Sequence, residues 1–305
     1  LRFGKFPTSK SIGKWLAAHS DVETLYVSES PRVQDPLRNV ETSFLASPTE
    51  FCHAINDGLD SVQGNSQWLS LWEEAELLAH NIVMQACPLE DSLLWEGAVS
   101  HHVANRLPKE SALHLASSMP IRDMDSFAPT GSGDLTVYSS RGANGIDGTI
   151  ATALGEALAH PSKAMTALVG DLATLHDLGG LHLLAVYERQ GLIQAPFVLV
   201  VVDNNGGGIF EHLPISTNER FFEKAFITPQ ETNLEEAISG LGLSCSRVFT
   251  HAELYASLEG AYTRGGVSVI ITEVDRAQTV EMRNRIWSDI ASKLETTLDI
   301  AGGIE

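Results

Sequence analysis

Six consecutive apolar residues, Phe197 to Val202, constrain the fold of this chain more than any other feature. Successive side chains of a strand point to opposite faces, so a strand with one wet face alternates apolar and polar residues. Nothing alternates in Phe-Val-Leu-Val-Val-Val. Both faces must be buried, which is the condition of a strand inside a parallel sheet covered by helices on each side. The stretches Met165 to Val169 and Val267 to Val274 come close to the same pattern. Helical periodicity separates them. Helices are predicted over Leu93 to Leu107, Gly148 to Ala159, Leu172 to Tyr187, Leu234 to Leu241 and Ala252 to Tyr262. Further short strands are predicted at Ala112 to Ala116, Thr136 to Ser139 and Arg247 to Phe249. Alternation of this kind specifies an α/β fold, a doubly wound parallel sheet.

At 305 residues the chain has room for about two domains. The first part reads as a Rossmann-like region, with a helix at Ser11 to His19, a strand at Thr24 to Ser28 and an amphipathic helix at Trp68 to Gln85 that Pro88 stops. The expected division is 1–88 and 89–305. Lys plus Arg number 20 against 39 for Asp plus Glu, a formal charge of -19. Such a surface repels nucleic acid and anionic lipid. No apolar run approaches the length of a membrane span. Three widely separated cysteines, Cys52, Cys87 and Cys245, lack metal-ligand spacing and fit a reduced, cytoplasmic setting. The first residue is Leu1, and no signal-peptide pattern follows it, so the chain is expected to begin inside a longer protein.

Ligands of open parallel sheets bind at the carboxyl ends of the strands. Four predicted strand ends carry polar or glycine-containing segments. They are Ser117-Ser118 with Arg122 beyond, Ser140 to Gly145, Gly170-Asp171, and Asp203-Asn204-Asn205 followed by Gly206-Gly207-Gly208. Asp171 and Asn204 offer hard oxygen ligands with little charge, which suits Mg²⁺ when phosphates complete the shell. The glycines let backbone approach a ligand closely. The helix opening at Leu172 offers free N–H groups to a phosphate. Taken singly, Asp171 reads as a helix cap and Asn204 as a turn residue. Taken together, each closing a buried strand, they read as a Mg²⁺-diphosphate site.

Gly170-Asp171 with Asn204-Asn205 resembles the GD…NN signature of thiamine diphosphate (ThDP) enzymes. Within them, Ser140-Arg141-Gly142-Ala143-Asn144-Gly145-Ile146-Asp147-Gly148 resembles the RGASGIDG segment of the MenD family, the 2-succinyl-5-enolpyruvyl-6-hydroxy-3-cyclohexene-1-carboxylate (SEPHCHC) synthases. Asp203 to Phe210 resembles that family's NNNGGxIF, Thr8-Ser9-Lys10 its TGK, and Ala277-Gln278-Thr279 a similar run. The resemblance implies a ThDP pyrophosphate-binding domain over 89–305, preceded by the C-terminal part of a middle domain. It implies ThDP and Mg²⁺, with Mn²⁺ as a substitute, and Asp171, Asn204 and the carbonyl of Gly206 as metal ligands. Gly142, Ile146, Gly170 and Leu172 would complete the cofactor site, with Ile146 propping the bent cofactor. Lys10, Ser118, Arg122, Arg141, Ile209 and Phe210 would bind substrate.

The implied substrates, 2-oxoglutarate and isochorismate, are both dicarboxylates, and arginine binds carboxylates bidentately. Read alone, Arg122 and Arg141 are equally two surface arginines in ion pairs. The family's activating glutamate lies in an upstream pyrimidine-binding domain to which nothing here corresponds. The implied enzyme is a homodimer or dimer of dimers, completed from another chain segment or subunit. Ser9 and Asp203 depart from the family's Gly and Asn, and Asp203 adds a carboxylate near the metal. Two alternatives stand beside this reading: an acetolactate synthase-like ThDP decarboxylase, and a ThDP-binding module without catalysis. Several other features point nowhere definite. His176-Asp177 falls inside a predicted helix, and His101-His102 reads as a solvated helix face. His212 follows the glycine loop. Ser11-Ile12-Gly13-Lys14 lacks companion motifs, Gly131-Ser132-Gly133 precedes a strand instead of following one, and Trp68, Trp72 and Trp95 read as core or interface aromatics.

Overall fold

A computed structural model describes residues 1–7, 9–59, 64, 66–129 and 134–300, with side chains to 297. Thr8, Gly131-Ser132-Gly133 and the tail from Ala301 to Glu305 lie outside the described residues. The chain divides into two compact units, Leu1–Trp72 and Glu73–Glu305.

The first unit holds β1 (Arg2–Phe3), α1 (Lys10–Ala18), β2 (Thr24–Ser28), β3 (Val40–Leu45) and α2 (Pro48–Asn56). Its strands form a parallel sheet in the order β1-β2-β3. Ser9 caps α1 through Ile12 N–H, and Ser47 caps α2 ahead of Pro48, the position where proline's missing donor costs nothing. Helix α3 (Ser66–Gln85) carries the predicted amphipathic pattern. The division between units falls within it, ahead of the boundary expected near 88. The reason is packing: Leu78, Ile82 and Val83 join a core of the second unit.

The second unit continues with α4 (Glu96–Arg106), β4 (Ala112–Leu115), α5 (Met119–Phe127), β5 (Thr136–Ser139), α6 (Thr149–Ala159) and β6 (Met165–Gly170). Then come α7 (Asp171–His176), α8 (Leu178–Arg189), β7 (Phe197–Asp203), α9 (Leu234–Gly240), β8 (Cys245–Val248), α10 (His251–Arg264), β9 (Val267–Glu273) and α11 (Arg276–Ile300). Six strands form one parallel sheet in the order β5-β4-β6-β7-β9-β8. Strand β7 behaves as its composition requires. Val198, Val200 and Val202 enter one core with residues of α4 and α10, while Phe197, Leu199 and Val201 enter the other with α6, α8 and α9.

The long helix expected over Leu172 to Tyr187 is two helices. Asp177 interrupts it, accepting from Gly180 N (3.1 Å) at the start of α8 and from Ala151 N (2.8 Å) across to α6. Among the described residues no helix is long and apolar enough to cross a membrane, and the three cysteines are unpaired.

The chain runs from β4 outward to β5, then returns to place β6 on the other side of β4. That reversal opens a crevice at the carboxyl ends of β4 and β6, the usual position of a ligand in such sheets.

Candidate functional site

Residues at the carboxyl ends of β4, β6 and β7 meet in this crevice. Strand β6 delivers Asp171, which is 4% exposed. Its Oδ1 accepts from Leu172 N and its Oδ2 from Gly206 N, both at 2.7 Å. The Leu172 N–H, expected to be free for a phosphate, is thus directed to Asp171. Burial pushes the Asp171 carboxyl up to about 7; the two backbone donors pull it down, and the nearby Asp203 and Glu96 carboxyls push it further up. Among the described residues these two N–H groups are its hydrogen-bond donors, a shell that leaves a deprotonated Asp171 short of positive charge.

Strand β7 ends at Asp203, and Asn204 follows. The Asn204 Nδ2 donates to Glu96 Oε1 (2.5 Å), while its buried Oδ1 has no partner among the described residues. A buried acceptor without a donor costs free energy that a cation would recover. The chain then turns through Asn205 (φ 55°) and Gly206 (φ 136°). A Cβ on Gly206 would stand 2.3 Å from the Ile227 carbonyl oxygen, so both the angle and the space demand glycine. The Gly206 carbonyl accepts from Gly208 N at 3.0 Å and keeps a second lone pair. One carboxylate, one amide oxygen and one carbonyl form a hard-oxygen donor set of the kind Mg²⁺ or Mn²⁺ takes. The residues present therefore fit the metal that the sequence implies. Among the described residues, no group of three or more His, Cys, Asp or Glu is arranged to hold a metal.

The pocket beside this donor set has a volume of about 210 Å³. Ile146, Leu172, Ile209 and Phe210 give it apolar walls, and Gly170, Asp171, Asn204 and Gly206 line its metal-side end. Ser118 contributes from the turn after β4, held at φ 75° in the left-handed region. Apolar walls beside hard oxygens suit a cofactor that joins a heteroaromatic ring to a diphosphate.

Other expected residues lie outside this lining. Arg122, in the first turns of α5, donates Nη1 to the Ser118 carbonyl (2.5 Å) and is half-buried. Burial lowers its pKa, and the nearby Arg141 charge lowers it further, so the two cations are neighbours. Gly142 is exposed, with open space around it. Lys10 is the exposed first residue of α1 in the first unit. The extra carboxylate at Asp203 pairs with Arg247 (2.9 Å), which also holds Glu273 (2.8 Å).

Three residues the sequence did not single out take part. Glu96 and Asp123 both line the pocket, at 3% and 2% exposure. Asp123 forms an ion pair with Arg283 of α11, whose guanidinium also lies 5.0 Å over the Phe127 ring. His101 and His102, read as a solvated face, are buried. His101 Nδ1 lies 2.9 Å from the Phe127 carbonyl oxygen, and His102 Nε2 lies 2.8 Å from His251 Nδ1. Burial, with Arg283 nearby, lowers His212 to about 4.

Comparison with known proteins accords with this geometry. The family model for the C-terminal thiamine pyrophosphate-binding domain of thiamine pyrophosphate enzymes matches residues 128–272. The solved benzoylformate decarboxylase of Polynucleobacter necessarius shares the fold, with a TM-score of 0.56 and 18% identity over 83% of this chain and 44% of that one. The fold and site thus define a ThDP-binding domain of the thiamine diphosphate enzymes. The SEPHCHC synthase of Sorangium cellulosum is 34% identical over 296 residues, covering 95% of this chain and 47% of its own length. That of Geobacillus thermodenitrificans is 32% identical over 302 residues, covering 99% and 50%. Within the ThDP enzymes, the curated relatives of this chain are 2-succinyl-5-enolpyruvyl-6-hydroxy-3-cyclohexene-1-carboxylate synthases. It spans about half the length of the curated relatives it matches.

Proposed function

We propose that this chain supplies the diphosphate- and metal-holding half of a SEPHCHC synthase active site, in menaquinone or phylloquinone biosynthesis. The overall reaction joins 2-oxoglutarate to isochorismate with loss of CO₂. The observation that carries the proposal is the convergence of Asp171, Gly206 and the unpartnered Asn204 Oδ1 beside a pocket walled by Ile146 and Phe210. When bound, ThDP supplies the nucleophilic carbon and the electron sink that let a 2-oxo acid lose CO₂.

The chain's own residues would bind and orient. Asp171, Asn204 and the Gly206 carbonyl would hold Mg²⁺ against the diphosphate. Ile146 and Leu172 would grip the cofactor's rings, and Ile209 and Phe210 would keep water from the reacting carbon. Arg122 and Arg141 would hold a substrate carboxylate. Two adjacent cations on a chain of net charge -19 favour dicarboxylate substrates over the monocarboxylate 2-oxo acids of an acetolactate synthase-like enzyme. The activating glutamate and the pyrimidine-binding domain would come from outside this sequence, in a dimer or dimer of dimers, and Lys10 would reach a substrate carboxylate in that assembly.

Isochorismate consumption with 2-oxoglutarate, ThDP and Mg²⁺ tests the proposal, with the upstream half of a relative supplied separately. Turnover is expected when both halves are present, and Asp171→Ala is expected to lower it at least 100-fold. Turnover of pyruvate alone, or an Asp171→Ala protein that still binds ThDP and Mg²⁺ normally, would overturn it.

A further inference from the structure

Glu96 opens α4, buried at 3% exposure and 108 positions from Asn204 in sequence. Its backbone N–H donates to Thr279 Oγ1 (3.3 Å), which ties the start of α4 to α11. Its Oε1 accepts from Asn204 Nδ2 at 2.5 Å. A carboxamide is nearly symmetric in shape and opposite in function at its two ends. With Nδ2 turned to the pocket, Asn204 would present two donors to a cation; with Oδ1 turned there, it presents a ligand. Glu96 decides between them, because its Oε1 takes the amide N–H and so turns the amide oxygen the other way. Gly208 closes the space behind the amide, where an added Cβ would lie 2.4 Å from Asn204 Nδ2 and 3.0 Å from Glu96 Oε1. The buried Asn204 Oδ1 is left with no partner among the described residues.

From this arrangement we infer that Glu96 is a positioning residue, holding the Asn204 amide with its oxygen turned into the metal position. The inference rests on the metal site proposed above. In this role Glu96 acts on the metal through Asn204. Partners of this kind, one step behind a metal ligand, are typically worth 10- to 100-fold in metal affinity.

The test is Mn²⁺ binding to the full chain in the presence of ThDP, read from the electron paramagnetic resonance signal of free Mn²⁺. Glu96→Met, which removes the acceptor at similar volume, is expected to weaken Mn²⁺ by about 10- to 100-fold. Glu96→Asp, which withdraws the acceptor by one methylene, should weaken it in the same direction and stands in should Glu96→Met fail to fold. Glu96→Gln keeps an acceptor at the same reach and should stay within about threefold of wild type. An Asn204→Asp background separates positioning from support of the fold, since a carboxylate has two equivalent oxygens and nothing to orient. There, Glu96→Met or Glu96→Asp should cost less than about threefold. Equal losses in both backgrounds would make Glu96 a structural residue and overturn the inference. Unchanged Mn²⁺ affinity in Glu96→Met and Glu96→Asp, with loss in Asp171→Ala, would overturn it while leaving the metal site standing. Undiminished Mn²⁺ affinity in Asp171→Ala would remove the metal site and the inference with it.

Discussion

Asp123 is a pocket-lining carboxyl at 2% exposure whose charge is met by Arg283 from a helix 160 positions away. Burial pushes it up to about 7, even with that guanidinium beside it. A buried pair of this kind adds little net stability against an apolar replacement, but removal of one partner strands the other. Arg283→Met is therefore expected to cost about 3–5 kcal/mol in urea unfolding. Arg283→Met combined with Asp123→Leu should recover most of that loss. Equal destabilisation by the single and double variants would show that Asp123 is not the stranded group. This pair, like Glu96 with Asn204, was not legible in the sequence. Asp171 and Asn204 announced themselves because each closes an apolar strand. Glu96 and Asp123 sit in helices among ordinary neighbours, and only the tertiary fold brings in Asn204 and Arg283.

Among the elements, β7 was legible because burial on both faces removes alternation, and the structure sends its alternate residues into two separate cores. The break between α7 and α8 was not legible, since the apolar period continues through it and Asp177 acts by contacts to Ala151 and Gly180. Strand β3 was missed because five of its six residues are exposed and its apolar residues do not alternate with polar ones. Helix α4 was read correctly as an element and wrongly as a surface: eight of its residues, Glu96 to Val103, are buried. That error carries a pH dependence. Burial, with His251 and His101 nearby, lowers His102 to about 3, and burial also lowers His101 and His251. In the unfolded chain these groups titrate near 6.5. A histidine held neutral in the fold contributes stability that is present above about pH 6.5 and lost as pH falls toward its folded value. Asp123 and Asp171, both raised to about 7, act in the opposite sense over the same range. The total slope is thus a mixture, and the informative quantity is the difference between wild type and His102→Gln. Between pH 7 and 5, wild type should lose up to about 1.4 kcal/mol per pH unit more than the variant. Parallel slopes in urea titrations at the two pH values would refute a neutral buried His102.

The whole molecule is uneven in what it buries. In the second unit, β7 alone contributes Phe197, Val198, Leu199, Val200 and Val201 at 0% exposure, each worth about 1.5–3 kcal/mol of burial. Among the described residues of the first unit, Tyr26 and Val27 are the buried hydrophobic side chains, while Trp15, Trp72 and Leu45 are at least 60% exposed. Hydrogen bonds within a three-stranded sheet do not replace an apolar core, because the unfolded chain bonds equally to water. The two units should therefore open at different free energies. Hydrogen exchange of the full chain, read by mass spectrometry of peptides, is expected to show β2 and β3 exchanging through openings of low free energy. The amides of β6, β7 and β9, paired on both sides and buried on both faces, should exchange only through global unfolding. Protection should rise between the first unit and the C-terminal half of α3, where Ile82 and Val83 enter the larger core. Metal and ThDP would raise protection at the ends of β6 and β7 and leave β2 unchanged, since a ligand stabilises only the states that bind it. Equal exchange free energies for β2 and β7 peptides would mean that the chain unfolds as one cooperative body, with the sparse core of the first unit no measure of its stability.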